Sequence, residues 1–172
     1  LPEADIAFED LQDPYGITMW PEFKGRDGCR TPMPWVATST DLGFSSVPIS
    51  TAPWLPVAAT HRPLAVDVQE NQADSLLNFY RSLLRWRKSQ PALIHGTLAV
   101  LPAHSQVLSF VRAFEGRQWL CVFNFSDSIA QWDIPEPYAE ATPLPGSGLA
   151  PVSRVGQVLQ LPAWGGAFLR LG

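Results

Sequence analysis

The stretch "QVLSFVRAFEGRQWLCVFNF", Gln106 to Phe125, alternates apolar and polar side chains on either side of Glu115-Gly116-Arg117. A period of two sends successive side chains to opposite faces of a strand. A three-residue link containing Gly, where positive φ is easiest, turns the chain back on itself. The segment predicts a β-hairpin. Before it stands "GTLAVL", and after it stand "IAQWDI", "QVLQL" and "GAFLRL", spaced by the turn-forming stretches "NFSDS", "PLPGSGLAP" and "PAWGG". Six or so short antiparallel strands predict a small β-sandwich from about residue 96 to the end.

Upstream the pattern is different. In "QADSLLNFYRSLLRWRKS", Gln72 to Ser89, the residues Leu76, Leu77, Tyr80, Leu83, Leu84 and Arg87 recur at helical spacing and form one largely apolar stripe. Asn71 is the expected N-cap, with Asp74 behind it, and the basic run Arg81, Arg85, Arg87 and Lys88 suits the negative end of the helix dipole. Pro91 is expected to stop the helix. Burying each leucine of the stripe contributes about 1.5 to 3 kcal/mol, so the stripe demands a partner surface. From Leu1 to about Glu70 no period is sustained, apart from a short helical turn near Ala7 to Leu11. Prolines crowd this first third and the span from Pro135 to Pro151, which predicts long ordered loops.

Composition excludes several functions. With 172 residues and 46% hydrophobic, the chain can bury a core of ordinary size. A formal charge of −4, with scattered basic residues, argues against a nucleic-acid surface. No apolar run approaches the roughly 20 residues that span a bilayer, and no signal-peptide pattern is present, so a cytoplasmic location is the expectation. Cys29 and Cys121 lack CxxC or Cys/His spacing and are expected to be reduced. His61, His95 and His104 also lack ligand spacing, so neither a metal nor a cofactor is expected.

The sharpest chemical signal is "KGRDGCRTPMPW", Lys24 to Trp35, too rich in Gly and Pro for a helix and too charged for a buried strand. Arg26 and Arg30 each offer five donors in a planar fork, suited to a carboxylate or to the paired hydroxyls of a sugar, and Asp27 could orient one of them. The residues alone fit a structural salt-bridge loop as well as a ligand site. Trp20, Trp35 and Trp54, each beside Pro, fit packing anchors or the lining of a cleft. The acids Glu3, Asp5, Glu9, Asp10, Asp13, Glu22 and Asp27 read as solvated loop acids, and no nucleophile elbow or phosphate loop appears.

"LPEADIAFEDLQDPYGITMWPEFKGRDGCRTPMPW", "GFSSVPISTAPWLPV" and "DSLLNFYRSLLRWRKSQPAL" together resemble the C-terminal third of bacterial α-glucosidases of the α-amylase superfamily, glycoside hydrolase family thirteen. The resemblance runs over essentially the whole chain, with RTPMPW and the SLLNFYR helix in the expected order. It implies a mainly β chain. Residues 1–92 would be a remnant of the catalytic (β/α)8 barrel, its substrate loop and final helix, and 93–172 a C-terminal antiparallel β-sandwich. The family's nucleophile and acid/base lie in segments this chain does not match, so no acid here is expected to be catalytic. By the same resemblance Arg30 matches an arginine that pairs with a carboxylate and reaches glucose hydroxyls, while Arg26 and Asp27 match the same loop. Any metal of the family belongs to another loop.

The implied function is the C-terminal portion of a retaining α-glucosidase, inactive alone, that meets an α-glucoside only together with the missing barrel. A related sucrose isomerase or trehalose synthase is an alternative. Another is a free-standing sugar-binding sandwich with Trp119, Trp132 or Trp164 as stacking platform. Without a barrel, residues 1–70 are expected to be loosely held and the helix stripe partly exposed, which leaves apolar surface for self-association.

Overall fold

A computed structural model of the chain describes residues 1–46 and 53–171. The centre of the "GFSSVPISTAPWLPV" motif, residues 47–52, lies outside the described residues. The chain divides into two compact units, Leu1–Asn78 and Phe79–Gly172.

The first unit is built from short turns. 3-10 segments run at Phe8–Asp10, Asp27–Cys29 and Ala59–Leu64, with α1 at Pro14–Thr18 and α2 at Val66–Glu70. The turn near Ala7 to Leu11 was expected, and the others extend the sequence reading. At α1 the Asp13 side chain accepts a hydrogen bond from the Tyr15 amide at 3.1 Å. Pro14 takes a first-turn position, where a missing N–H leaves no bond unmade. Long-range bonds close the unit. The Ala4 amide donates to the Gly28 carbonyl at 3.0 Å and the Val66 amide to the Pro34 carbonyl at 3.1 Å. His61, which lacks ligand spacing in the sequence, is buried, with Nε2 2.8 Å from the Pro2 carbonyl oxygen. Ile6, Leu11, Leu42 and Leu55 are buried as well.

The long helix, α3, spans Leu76–Lys88 and starts later than its periodicity suggested. Ser75 Oγ accepts from the Asn78 amide at 3.2 Å and so takes the capping position expected of Asn71. Asn71 instead terminates α2, a helix with no sustained apolar period to betray it. As expected, α3 does not run into Pro91: it ends at Lys88, Gln90 before the proline is extended, and Pro91 then opens α4, Pro91–His95, at its first turn. No α3 residue is buried, and Leu76, Tyr80 and Leu84 are 65%, 55% and 48% exposed. The partly exposed stripe matches the expectation.

In the second unit β2 (Val107–Phe114) and β3 (Arg117–Asn124) form the expected hairpin. Its link is one residue shorter than expected. Arg117 pairs with Phe114, leaving only Glu115 and Gly116, both at positive φ (49° and 76°), as a type I′ turn requires. With β1 (Thr97–Val100), β4 (Ala130–Asp133), β5 (Thr142–Pro143), β6 (Ser153–Val155), β7 (Val158–Leu161) and β8 (Gly166–Leu171), two antiparallel sheets arise, ordered β1-β2-β3-β8-β5 and β4-β7-β6. Strands β5 and β6 were not read from the sequence, because one is two residues long and the other is exposed throughout.

Val107, Val111, Leu120, Val122 and Leu169 of the larger sheet meet Ala130, Trp132, Leu159 and Leu161 of the smaller one, which makes the sandwich core. On the larger sheet's other face Trp119 and Cys121 join Ala92 and Leu93 of α4, and the Trp86 and Phe168 rings stand 4.8 Å apart. Burial pushes the Cys121 thiol up to about 12, against the pull of Arg112, so it stays protonated and unreactive. Cys29 is exposed. No helix among the described residues is long and apolar enough to cross a membrane.

Candidate functional site: the arginine loop

The segment from Lys24 to Arg30 curls around two buried carboxylates. Asp27 has no exposed surface, and its Oδ2 accepts from the backbone amides of Gln12 at 2.6 Å and Asp13 at 2.7 Å. Asp13, 6% exposed, caps α1 through Oδ1 and accepts from the Arg26 amide through Oδ2 at 3.1 Å. Gly25 lies between them at φ 74°, and a Cβ there would stand 2.9 Å from Asp13 Cβ. The close approach therefore requires glycine. Gly28 is equally constrained, since a Cβ would run into the Ala4 carbonyl oxygen. Lys24 pairs with Asp5 and holds its ammonium 4.9 Å above the Trp20 ring.

These acids brace both arginines. Arg26 Nε is 3.6 Å from Asp13 Oδ2, and Arg30 Nη1 is 3.8 Å from the same oxygen and 3.9 Å from Asp27 Oδ1. The latter oxygen is buried and makes no hydrogen bond, so Arg30 is the cation that faces it. The Tyr15 amide holds the Asp13 carboxyl below its ordinary value. The Arg26 amide and the charges of Arg26 and Arg30 add to this, against the opposing effect of burial. The Arg26 side chain is 73% exposed and that of Arg30 40%. Each guanidinium thus lies within ion-pair distance of a buried carboxylate while keeping exposed surface.

The "TPMPW" continuation is fixed by a second carboxylate pair. The Trp35 and Val36 amides donate to the Leu42 carbonyl at 2.7 and 2.9 Å, and the Ala37 amide to Asp67 Oδ1 at 3.1 Å. Arg62 Nη1 donates to the carbonyls of Ala37 and Ser39 at 2.7 and 2.9 Å. Asp41 accepts from the Ser39 hydroxyl and from the Gly43 and Ser45 amides, and these bonds, the hydroxyl foremost, lower its pKa.

All three residues singled out in the loop come together here. Arg30 and Arg26 present charge outward, whereas Asp27 is sealed inside, where it has no surface to touch a sugar. Asp13 was missed as one acid among several, although Asp-Pro before a turn is a capping signal. The reading of these carboxylates as solvated is corrected for Asp13 and Asp27: backbone amides draw them inside. Pro34 is fully buried, but Trp35 and Trp54 are 49% and 71% exposed, so these two tryptophans are not buried anchors. Of the proposed stacking platforms, Trp119 and Trp132 are buried and Trp164 is 69% exposed. Among the described residues no group of three His, Cys, Asp or Glu is placed to hold a metal ion.

Comparison with known proteins extends this geometry. The family described as alpha amylase, catalytic domain, matches residues 2–96, and that of the maltogenic amylase C-terminal domain matches 98–167. A probable α-glucosidase of Rhizobium meliloti (strain 1021) is 45% identical over 99% of this chain. An oligo-1,6-glucosidase of Parageobacillus thermoglucosidasius is 26% identical over 73% of it. The crystal structure of an α-glucosyl transfer enzyme, XgtA, superposes with a TM-score of 0.87 at 44% identity over 99% of the chain. The chain spans 30% of the length of the Rhizobium relative, 22% of the oligo-1,6-glucosidase and 30% of XgtA. It belongs to the α-amylase family, as part of a catalytic domain followed by a C-terminal β-sandwich of the maltogenic amylase type.

Proposed function

We propose that this chain is the substrate-loop and C-terminal sandwich portion of a retaining α-glucosidase that hydrolyses terminal α-glucosidic bonds of short oligosaccharides. The observation that carries the reading is the braced arginine pair. Arg26 and Arg30 each lie within ion-pair distance of Asp13 and keep exposed surface, in a chain 45% identical to a probable α-glucosidase. In this reading both guanidinium groups donate to hydroxyls of the terminal glucose, and Asp27 acts as a positioning residue behind Arg30. A retaining mechanism needs a nucleophile and an acid/base about 5 to 5.5 Å apart, and these come from sequence outside the 172 residues. The α-glucoside is bound only when that sequence is present.

The test is glucose release from p-nitrophenyl α-glucoside and maltose. The purified chain is expected to release none, and the chain joined to the remaining sequence of the Rhizobium relative is expected to turn over. Hydrolysis by the isolated chain, or a folded but inert joined enzyme, contradicts the proposal.

The 44% identity to XgtA favours a second reading, glucosyl transfer to a sugar acceptor, since a loop that grips the donor glucose serves either acceptor. Products from concentrated maltose separate the two: longer oligosaccharides mean transfer, glucose alone means hydrolysis.

A further inference from the structure

A cavity of about 400 Å³ opens on the outer face of the five-stranded sheet, lined only by residues of the second unit. Arg117, Trp119 and Arg170 form its floor, the Ser89-Gln90-Pro91 turn one wall, and Leu144 the other. The strand register puts the floor residues together. Arg117 and Trp119 lie two apart on β3 and share a face, and Arg170 of β8 sits directly opposite Trp119. Arg117 and Arg170 are thus diagonal neighbours, about 7 to 8 Å apart in such a pair, their Cβ atoms somewhat closer. Two guanidinium groups on long stems reach one small anion from that spacing.

Three observations give the cavity a chemical character. Neither the Arg117 nor the Arg170 side chain has an ion-pair or hydrogen-bond partner among the described residues, although the chain carries a net charge of −4. No Asp or Glu lines the cavity. Trp119 is 4% exposed with its indole Nε1–H buried, so the ring closes the floor beneath the two arginines without presenting its donor to the cavity. The floor therefore offers donors and positive charge and no acceptor side chain, while Pro91, Leu144 and Leu171 add apolar wall. Two like charges side by side are satisfied by an oxyanion.

We propose that this cavity binds the phosphate group of a small phosphorylated metabolite or free inorganic phosphate. The site owes nothing to the sugar-binding arginines and stands or falls independently of the glucosidase reading. At the rim, Gln90 donates to Ser89 Oγ at 3.0 Å and the Ser89 hydroxyl donates to the Trp86 carbonyl at 2.6 Å.

Calorimetric titration of the full chain with inorganic phosphate, glucose 6-phosphate and glucose tests the assignment at constant ionic strength. Saturable binding of phosphate or of the sugar phosphate is expected, and none of glucose. Tighter binding of glucose 6-phosphate identifies a phosphorylated sugar as the occupant, and equal binding identifies the free anion. Arg117→Gln and Arg170→Gln are each expected to weaken binding by about tenfold or more, whereas Lys88→Gln, outside the cavity, leaves it unchanged. Circular dichroism confirms that the variants are folded. Absence of saturable phosphate binding, equal binding of glucose, or unchanged affinity in the two folded arginine variants overturns the proposal.

Discussion

Asp13 ties together three things at once: the start of α1, the backbone at Arg26, and the charges of both arginines. Its folded pKa lies below its ordinary value of 3.8. The contribution to stability is therefore complete above the unfolded pKa of about 3.9 and disappears as pH falls through the lower folded value. Asp13→Asn is expected to lower the melting temperature at neutral pH. The gap between variant and parent should close as the solution is taken below about pH 4. A gap that persists unchanged into acid would mean that the carboxylate charge is not what holds the loop. The loop's position was legible in the sequence through its paired arginines. Its brace was not, because burial of a carboxylate depends on which distant amides reach it, and Gln12 and Asp13 lie 15 and 14 residues from Asp27.

At the scale of elements, strict alternation made β2, β3, β4, β7 and β8 readable, and helical spacing made α3 readable. What escaped were boundaries and short pieces. The first turn of α3 lost Asn71 to a neighbouring helix, and β5 and β6 pair without any amphipathic pattern of their own. Leu161 ends β7 with no exposed surface and packs in the core shared by both sheets. Leu161→Ala is expected to destabilise the sandwich by about 2 to 5 kcal/mol, measured by denaturant unfolding. At the hairpin tip the situation differs: Gly116 stands at φ 76° with nothing within 4 Å of an added Cβ. A substitution there meets backbone strain alone, without a clash.

For the whole molecule, the two family matches meet between residues 96 and 98, and the chain spans 30% of its Rhizobium relative. The resemblance read from RTPMPW and the SLLNFYR helix is shown by these matches. Within the portion present, the proposed function rests on the loop in which Asp13 and Asp27 lie within ion-pair distance of Arg26 and Arg30. That account is tested most directly by steady-state kinetics on the joined enzyme carrying Arg26→Ala or Arg30→Ala, with p-nitrophenyl α-glucoside as substrate. Each loss of a charged hydrogen-bond donor to the terminal glucose is expected to lower kcat/KM by about tenfold to a hundredfold, with folding unchanged by circular dichroism. Values of kcat/KM within about twofold of the parent in both variants would contradict it.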